Sequence, residues 1–332
     1  MSIFQRTSVD AALHILRDTN RSLTTTQNHV STGLRVAKAQ DNGAYWAIAT
    51  TVRTDNKANG AIQDALGIAA ATMGVAYTAV SSAIEIVSTI KSKLVAATEE
   101  GVDKTKINDE ITQLKSQLRS VSEAASFNGD NWVQLTDEDD PTKPKEIPAA
   151  FIRGDDGSVK VSTLTYHIDV PSTGVTTSAD ARYMVDDRAG GTGEYGALTT
   201  DHYATELGAA QNYVMIFSKE GDTTGQVEIG LDANTSADDL KDMINVTDAA
   251  LKQMTTVGSS FGALEKRIDL QNDFAKSLTD SYTSGIGRLV DADMEEESGR
   301  LAALQTQRQL GIQSLQIANA SYNTITQLFQ NI

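Results

Sequence analysis

Eleven consecutive seam positions without a polar residue constrain this chain more than anything else in it. Ile62, Leu66, Ala69, Met73, Ala76, Val80, Ala83, Val87, Ile90, Leu94 and Ala97 recur at alternating spacings of four and three, the period of a helix with one apolar stripe. The run predicts a helix of about 50 Å at 1.5 Å per residue, closed by a left-handed glycine cap at Gly101. Asp103 is placed to cap a second helix with the seam Ile107, Ile111, Leu114, Leu118, Val121 and Ala125, ending at Asn128-Gly129. A short turn would fold these two back as an antiparallel pair.

The chain ends carry the same period. Upstream the seam reads Val9, Leu13, Leu16, Asn20, Leu23, Gln27, Val30 and Leu34; one line is wholly apolar, and the other holds two polar groups that a buried interface must satisfy. Downstream, Ser236-Ala237-Asp238-Asp239 forms a capping box with Asp in place of Glu. Its seam is Met254, Val257, Phe261, Leu264, Ile268, Gln271, Ala275, Leu278 and Tyr282, and Ser284-Gly285-Ile286-Gly287 is expected to interrupt it. A last helix is expected from about Asp291, where Asp293, Glu295, Glu296 and Glu297 suit a helix N-terminus. Its seam is Leu301, Leu304, Arg308, Gly311, Leu315, Ala318, Tyr322, Ile325 and Phe329, with Leu310, Ile317 and Leu328 widening the face. That is too much apolar surface for a lone helix in water.

Between these arms the composition changes. All four Pro (Pro141, Pro144, Pro148, Pro171) and the Gly190-to-Gly196 cluster fall in the middle. Of the net charge of -16 over 332 residues, -13 belongs to Asp137 to Asp239, which marks a separate, strongly solvated central domain. Ala150-Phe151-Ile152 and Val159 to Val161 around Asp155-Asp156-Gly157 read as a hairpin, with further short strands at Tyr213 to Phe217 and Gln226 to Leu231. The fold class expected is mainly α: long N- and C-terminal helices paired as a coiled-coil-like bundle, with an inserted small β-rich domain.

Catalytic chemistry finds little support. The chain has no Cys, which removes disulfide scaffolds, zinc ribbons, iron-sulfur clusters and thiol catalysis. The negative charge disfavours nucleic acid and anionic membrane surfaces. No uninterrupted apolar run approaches the roughly 18 residues of a membrane span, and the N-terminus shows no basic start and apolar stretch of a cleavable secretory signal. Gly191, Gly193 and Gly196 match G-x-G-x-x-G without the strand and helix that a phosphate site needs, so a flexible loop is expected. Asp137 to Asp140 reads as a solvated charge run. The four His (His14, His29, His167, His202) are read as lying outside any helical metal pair, and no cofactor is expected.

Two sets of residues resemble a known family. Ser31-Thr32-Gly33-Leu34-Arg35-Val36, Ala39-Gln40-Asp41-Asn42-Gly43-Ala44 and Ala47-Ile48-Ala49 resemble the N-terminal flagellin signature. Phe261 to Ile268 with Arg267, Ile286 to Met294 with Asp291 and Asp293, and Leu310 to Asn319 resemble the C-terminal one. The likeness covers both arms, roughly two thirds of the chain, and omits the middle.

The resemblance implies a non-enzymatic subunit of the extracellular bacterial flagellar filament, self-assembling into a helical tube for swimming. It implies an inner terminal-helix domain (1-40 and 290-332), a helical bundle domain (41-135 and 236-289) and a variable outer β-rich domain (136-235). Assembly would rest on Val9, Leu13, Leu16, Leu23, Val30, Leu34, Leu301, Leu304, Leu315, Tyr322, Ile325 and Phe329. The bundle core would rest on Leu66, Met73, Val80, Val87, Ile90, Leu94, Ile111, Leu114, Leu118, Phe261, Leu264 and Ile268. Implied partners are other copies, the cap and hook-filament junction proteins, an export chaperone and the type III export apparatus, with no nucleic acid and no membrane. A hook-filament junction protein, or an exported adhesin or enzyme with its site in the middle, are the alternative readings. Tyr45-Trp46 and Asp41-Asn42 depart from the family's usual residues. Lys91-Ser92-Lys93 stands where an Arg-Glu pair is usual in the stretch read by an animal immune receptor, so weak recognition is expected there.

Overall fold

The computed structural model describes residues 3–137, 144–166, 183–189, 191, 193 and 195–330, without the side chains of residues 3–9, 318, 319 and 321–330. His167, Pro141, Pro171, Gly190, most of the Asp137-to-Asp140 run, and the side chains of Val9, Ala318, Tyr322, Ile325, Leu328 and Phe329 lie outside the described residues. The elements are α1 (Ile3–Thr32), α2 (Gly43–Ala96), α3 (Lys104–Ala124), β1 (Ser126–Phe127), β2 (Asp130–Asn131), β3 (Gln134–Leu135), β4 (Lys145–Arg153) and β5 (Val159–Tyr166). They continue with β6 (Val185–Asp186), α4 (His202–Leu207), β7 (Asn212–Val214), β8 (Gln226–Glu228), α5 (Ala237–Val290) and α6 (Met294–Gln330). The fold is mainly helical, with a β-rich central insertion. The chain divides into two compact units, one of residues 1–58 and 278–332, the other of residues 59–277; both boundaries fall inside long helices, α2 and α5.

In the second unit α2, α3 and α5 bury the seams. Of the eleven α2 positions, all but Ala69 are buried, as expected for a stripe that faces protein. Phe261, Leu264 and Ile268 of α5 join them. Gly258 of α5 abuts Val80 and Ile84, and Gly262 abuts Tyr77, so small residues let the antiparallel α2 and α5 approach. Asn59 Nδ2 donates to the Ala275 carbonyl at 2.7 Å and Gln63 Nε2 to the same oxygen at 3.1 Å. α2 also contains an 18-residue stretch of mean hydropathy 1.4, apolar and long enough to cross a bilayer by composition.

The caps explain the helix ends. Gly101 has φ 87, and the Asp103 carboxylate accepts from Thr105 N at 3.2 Å to start α3. The α5 box is reciprocal: Asp239 N donates to Ser236 Oγ at 3.1 Å, and Ser236 N to Asp239 Oδ2 at 3.1 Å. Three boundaries differ from the sequence reading. α2 begins at Gly43, well before Ile62, and is about 80 Å long at 1.5 Å per residue. α3 stops at Ala124, and Asn128-Gly129 (φ 54 and 86) instead forms the tight turn of the β1–β2 hairpin. α5 runs unbroken through Ser284 to Gly287; glycine costs about 1 kcal/mol in a helix, but Val290 with Ile286 and Leu289 packs on Val36 and Ala49 in the first unit.

The central segment is not a solvated appendage. Ile147, Leu164, Met184, Tyr213, Met215 and Ile229 belong to the same hydrophobic cluster as α2, α3 and α5. Trp132 stacks on Tyr166 at 5.9 Å, and Tyr166 lies 5.7 Å from Phe261. The β4–β5 hairpin pairs Phe151 with Val161 and Arg153 with Val159, with the turn carried by Gly157 at φ 80. β7 and β8 pair in parallel. Two of its acids are internal: Asp186 is bracketed by Arg188 at 2.9 Å through both carboxylate oxygens. Asp187 accepts from Gln134 Nε2 at 2.8 Å and Lys219 N at 2.7 Å, beside Arg119 of α3.

The glycine pattern at 191, 193 and 196 is a packed turn, contrary to the expected flexible loop. Ala197 to Thr200 are buried, and a Cβ on Gly196 would stand 2.2 Å from Thr199 Oγ1 and 2.6 Å from Asp186 N. Gly60 of α2, by contrast, has nothing within 4 Å of a built Cβ. Denaturant unfolding of the soluble chain therefore separates two substitutions of one type. Gly60→Ala is expected to stabilise by about 0.5–1 kcal/mol, and Gly196→Ala to destabilise by about 1–3 kcal/mol through overpacking.

Candidate assembly site

The first unit brings the two chain ends together. α1 and α6 lie antiparallel: a Cβ on Gly311 would meet Leu16 Cδ1 at 3.2 Å, and His29 meets Glu297. Leu13, Leu16, Val30, Leu301, Leu304 and Leu315 are half-buried and Leu23 is buried, so the seams face into the pair. The polar seam positions behave differently from expectation. Gln27 is exposed and Asn20 half-buried. The buried polar groups are Thr19 and Thr26, one residue earlier in each case, and Thr19 Oγ1 is satisfied by the Ile15 carbonyl of its own helix at 2.8 Å.

Among the exposed residues of the pair are large apolar side chains. Ile15 is 64% exposed, Leu310 59% and Ile317 68%. Ile15 and Leu310 border, with Ala11, Ala12, Thr19 and Gly311, a groove of about 670 Å³. The sequence reading identified Leu310 and Ile317 and missed Ile15, which lies off the seam.

Gly33, Leu34, Arg35, Asp41, Asn42, Asp291 and Asp293 of the family motifs gather at the joint where α1 passes to α2 and α5 to α6. Gly33 adopts φ 71, which an L side chain rarely takes, and its amide closes α1 on the His29 carbonyl at 2.8 Å. The chain then runs antiparallel to the start of the α5–α6 link: Leu34 bridges Asp291, Arg35 N donates to the Val290 carbonyl at 2.7 Å, and Ala292 N donates to the Gly33 carbonyl at 2.9 Å. Arg35 Nη2 reaches the Leu289 carbonyl at 3.2 Å. Asp41 Oδ2 accepts from Ala37 N and Lys38 N at 3.0 and 2.9 Å. Asn42 Oδ1 caps α2 through Tyr45 N at 3.1 Å, and Asp293 Oδ1 caps α6 through Glu295 N at 2.9 Å. Arg267 stands apart, exposed on α5 in the second unit. The short-range motif was visible in sequence; that its two halves meet was not.

These same segments are those that known proteins share. Residues 5–137 match the model of the bacterial flagellin N-terminal helical region, and residues 244–329 that of the C-terminal helical region. The chain belongs to the bacterial flagellin family. It is 44% identical to "Flagellin C" of Rhizobium meliloti (strain 1021) over 329 residues, covering 99% of each chain. It is 41% identical to "Flagellin A" of the same strain, over 99% of this chain and 100% of the relative. A "Flagellin" of Brucella melitensis biotype 1 is 36% identical over 99% of each.

His14 and Asp18 (3.1 Å), and His202 and Glu206 (3.8 Å), do stand at i,i+4, contrary to the sequence reading. Each is a two-residue surface pair, and no group of three or more His, Asp or Glu able to hold a metal occurs among the described residues.

The joint generates a direct test. Gly33→Val forces a β-branched residue into the left-handed region, where an L side chain costs about 1–2 kcal/mol. Faster amide exchange is expected at Arg35 and Ala292, with exchange in α3 unchanged.

Proposed function

We propose that this flagellin builds the extracellular filament by burying the outer face of its α1/α6 pair against neighbouring copies. The observation that carries this is the exposure of Ile15, Leu310 and Ile317 to solvent on helices at the two chain ends. Terminal helices stay ordered only when docked, and Ile15 and Leu310 exposed along one groove suit contact with a further chain. The role as structural subunit of the flagellar filament is supported by the family models and by flagellin relatives matched over essentially their full length. In this reading residues 1-40 and 290-332 form the inner layer, 41-135 and 236-289 the helical bundle, and 136-235 the variable outer part. Ordering of the end helices and filament growth are then one coupled event, as when a segment folds on binding.

The finer partners belong to the same reading: a cap protein at the growing tip, junction proteins at the hook, and an export chaperone with the type III apparatus that passes the chain outward. The seam residues from Leu13 to Leu34 and Leu301 to Leu315 hold the pair closed, while Ile15, Leu310 and Ile317 meet the next copy. A junction protein shares the end helices but does not elongate, so polymerisation discriminates the two.

Purified chain added to filament seeds and followed by electron microscopy is expected to elongate them. Leu310→Asp places a charge on the face to be buried and is expected to reduce elongation at least roughly tenfold, the penalty of an unpaired charge at an interface. The unfolding midpoint of the second unit should stay unchanged. Filaments formed by a chain lacking residues 301 to 332 would overturn the pairing, and failure of the intact chain to elongate would favour the junction reading.

A further inference from the structure

We infer that His29 and Glu297 form a protonation-dependent clasp on the α1/α6 pair, closed when the imidazole is charged and loosened when it is neutral. The inference rests on the assembly reading above, because it assigns a control to the same helix pair. His29 Nδ1 lies 3.0 Å from Glu297 Oε1, joining residues 268 apart in sequence. Their side chains are 17% and 9% exposed, so the pair is screened far less than a surface ion pair. It sits next to the joint, at the end of α1 whose last amide bond runs from Gly33 to the His29 carbonyl.

The charged groups around the clasp are few and come from both helices. From α6, Arg300 approaches the same Glu297 oxygen at 3.8 Å and Glu296 at 3.9 Å. From α1, Arg21 lines a groove of about 400 Å³ together with Thr26, His29 and Arg300. Two guanidinium groups thus stand beside the pair, and the Glu297 carboxylate lies at the start of α6, where a helix favours negative charge.

The direction of the pH response follows from the two partners. The hydrogen bond from His29, above all, holds the Glu297 carboxyl below the ordinary carboxylate range, against the opposing effect of burial; the His29 charge, Thr26 and Arg300 add to the lowering. A carboxyl lowered on folding contributes stability that is present above its unfolded value and lost as pH falls through the folded one, so Glu297 stays ionised in mild acid. A protonated imidazole adds a Coulombic attraction to the contact, whereas a neutral ring keeps only the Nδ1–H hydrogen bond. The clasp is therefore strongest in mild acid and weakens toward alkaline pH.

The test is the free-subunit concentration at which seeded growth of the full chain stops, measured between about pH 5.5 and 8.5. In the unaltered protein this concentration is expected to rise roughly three- to tenfold across the range. His29→Gln and Glu297→Gln should each flatten the profile. His29→Lys, charged throughout, should hold the acid-side value at every pH. His14→Gln serves as a control, since His14 pairs with Asp18 within one exposed helix turn and its loss should leave the slope intact. A flat profile in the unaltered protein, or an unchanged slope in either glutamine variant, overturns the clasp. If His29→Gln does not grow at all, Glu297→Gln decides by the same criterion. Absence of growth by the unaltered chain at every pH counts against the filament reading instead. The clasp is then judged by amide exchange of α1 and α6 in the soluble chain, where a pH-independent exchange ratio to Glu297→Gln overturns it.

Discussion

Four main-chain hydrogen bonds decide where the ends of this chain go. Arg35 and Val36 donate to the Val290 carbonyl, Ala292 donates to Gly33, and Gly33 closes α1 on His29. The first three fix residues separated by more than 250 positions into one antiparallel contact, backed by Val36, Ala49 and Val290, and the fourth ends α1 beside it. With the exits of α1 and the entry of α6 held side by side, the two apolar seams have no choice of partner within the subunit. A side-chain interface alone would leave the register free to slide by a heptad; the backbone bridge at Leu34 and Asp291 sets it.

The second unit solves a different problem. A seam of eleven apolar residues on α2 is wider than one partner helix covers, and α3 runs beside only part of it. The remaining surface is taken by the central segment, through Ile147, Leu164, Met184 and Tyr213 and the Trp132, Tyr166 and Phe261 rings. The insertion is thus part of the core it interrupts. Loss of the segment would strip buried area from α2 and α5.

The periodicity made the helices legible because burial of a 3.6-residue stripe is a local property: Leu66, Met73, Val80 and Val87 announce their own environment. Caps at Gly101, Asp103 and Ser236 were legible for the same reason, since each is satisfied within four residues. What failed was tertiary. Gly285 and Gly287 read as a break, but packing of Ile286 and Leu289 outweighs their helix cost. Gly193 and Gly196 read as a loose loop, but Thr199 folds back onto both and Asp186 of β6 closes on Gly196. In the candidate site, the seam residues and the signature motifs could be read off the chain, whereas Ile15, lying off the seam, and the His29–Glu297 contact across 268 residues depend on how α1 and α6 are rotated against each other.

Charge shows most clearly how composition and position differ. The middle of the chain holds -13 of the net -16, and from composition alone this is a solvated surface. Asp186 and Asp187, however, are 0% and 6% exposed, and each is met by donors: Arg188 on one, Gln134, Lys219 N and Arg119 on the other. Pairing and hydrogen bonds offset the cost of burying a carboxylate: Asp187 ties α3 and β3 to the loop at Lys219, and Asp186 holds Arg188 in the turn that follows β6. Other acids of the segment hold turns: Asp156 accepts from Ser158 N, Asp222 from Thr224 N and Asp232 from Asn234 N. An excess of Asp is what a short-stranded, loop-rich insertion needs when it must share a core with long helices, because its backbone amides are satisfied by side chains where no ladder reaches them.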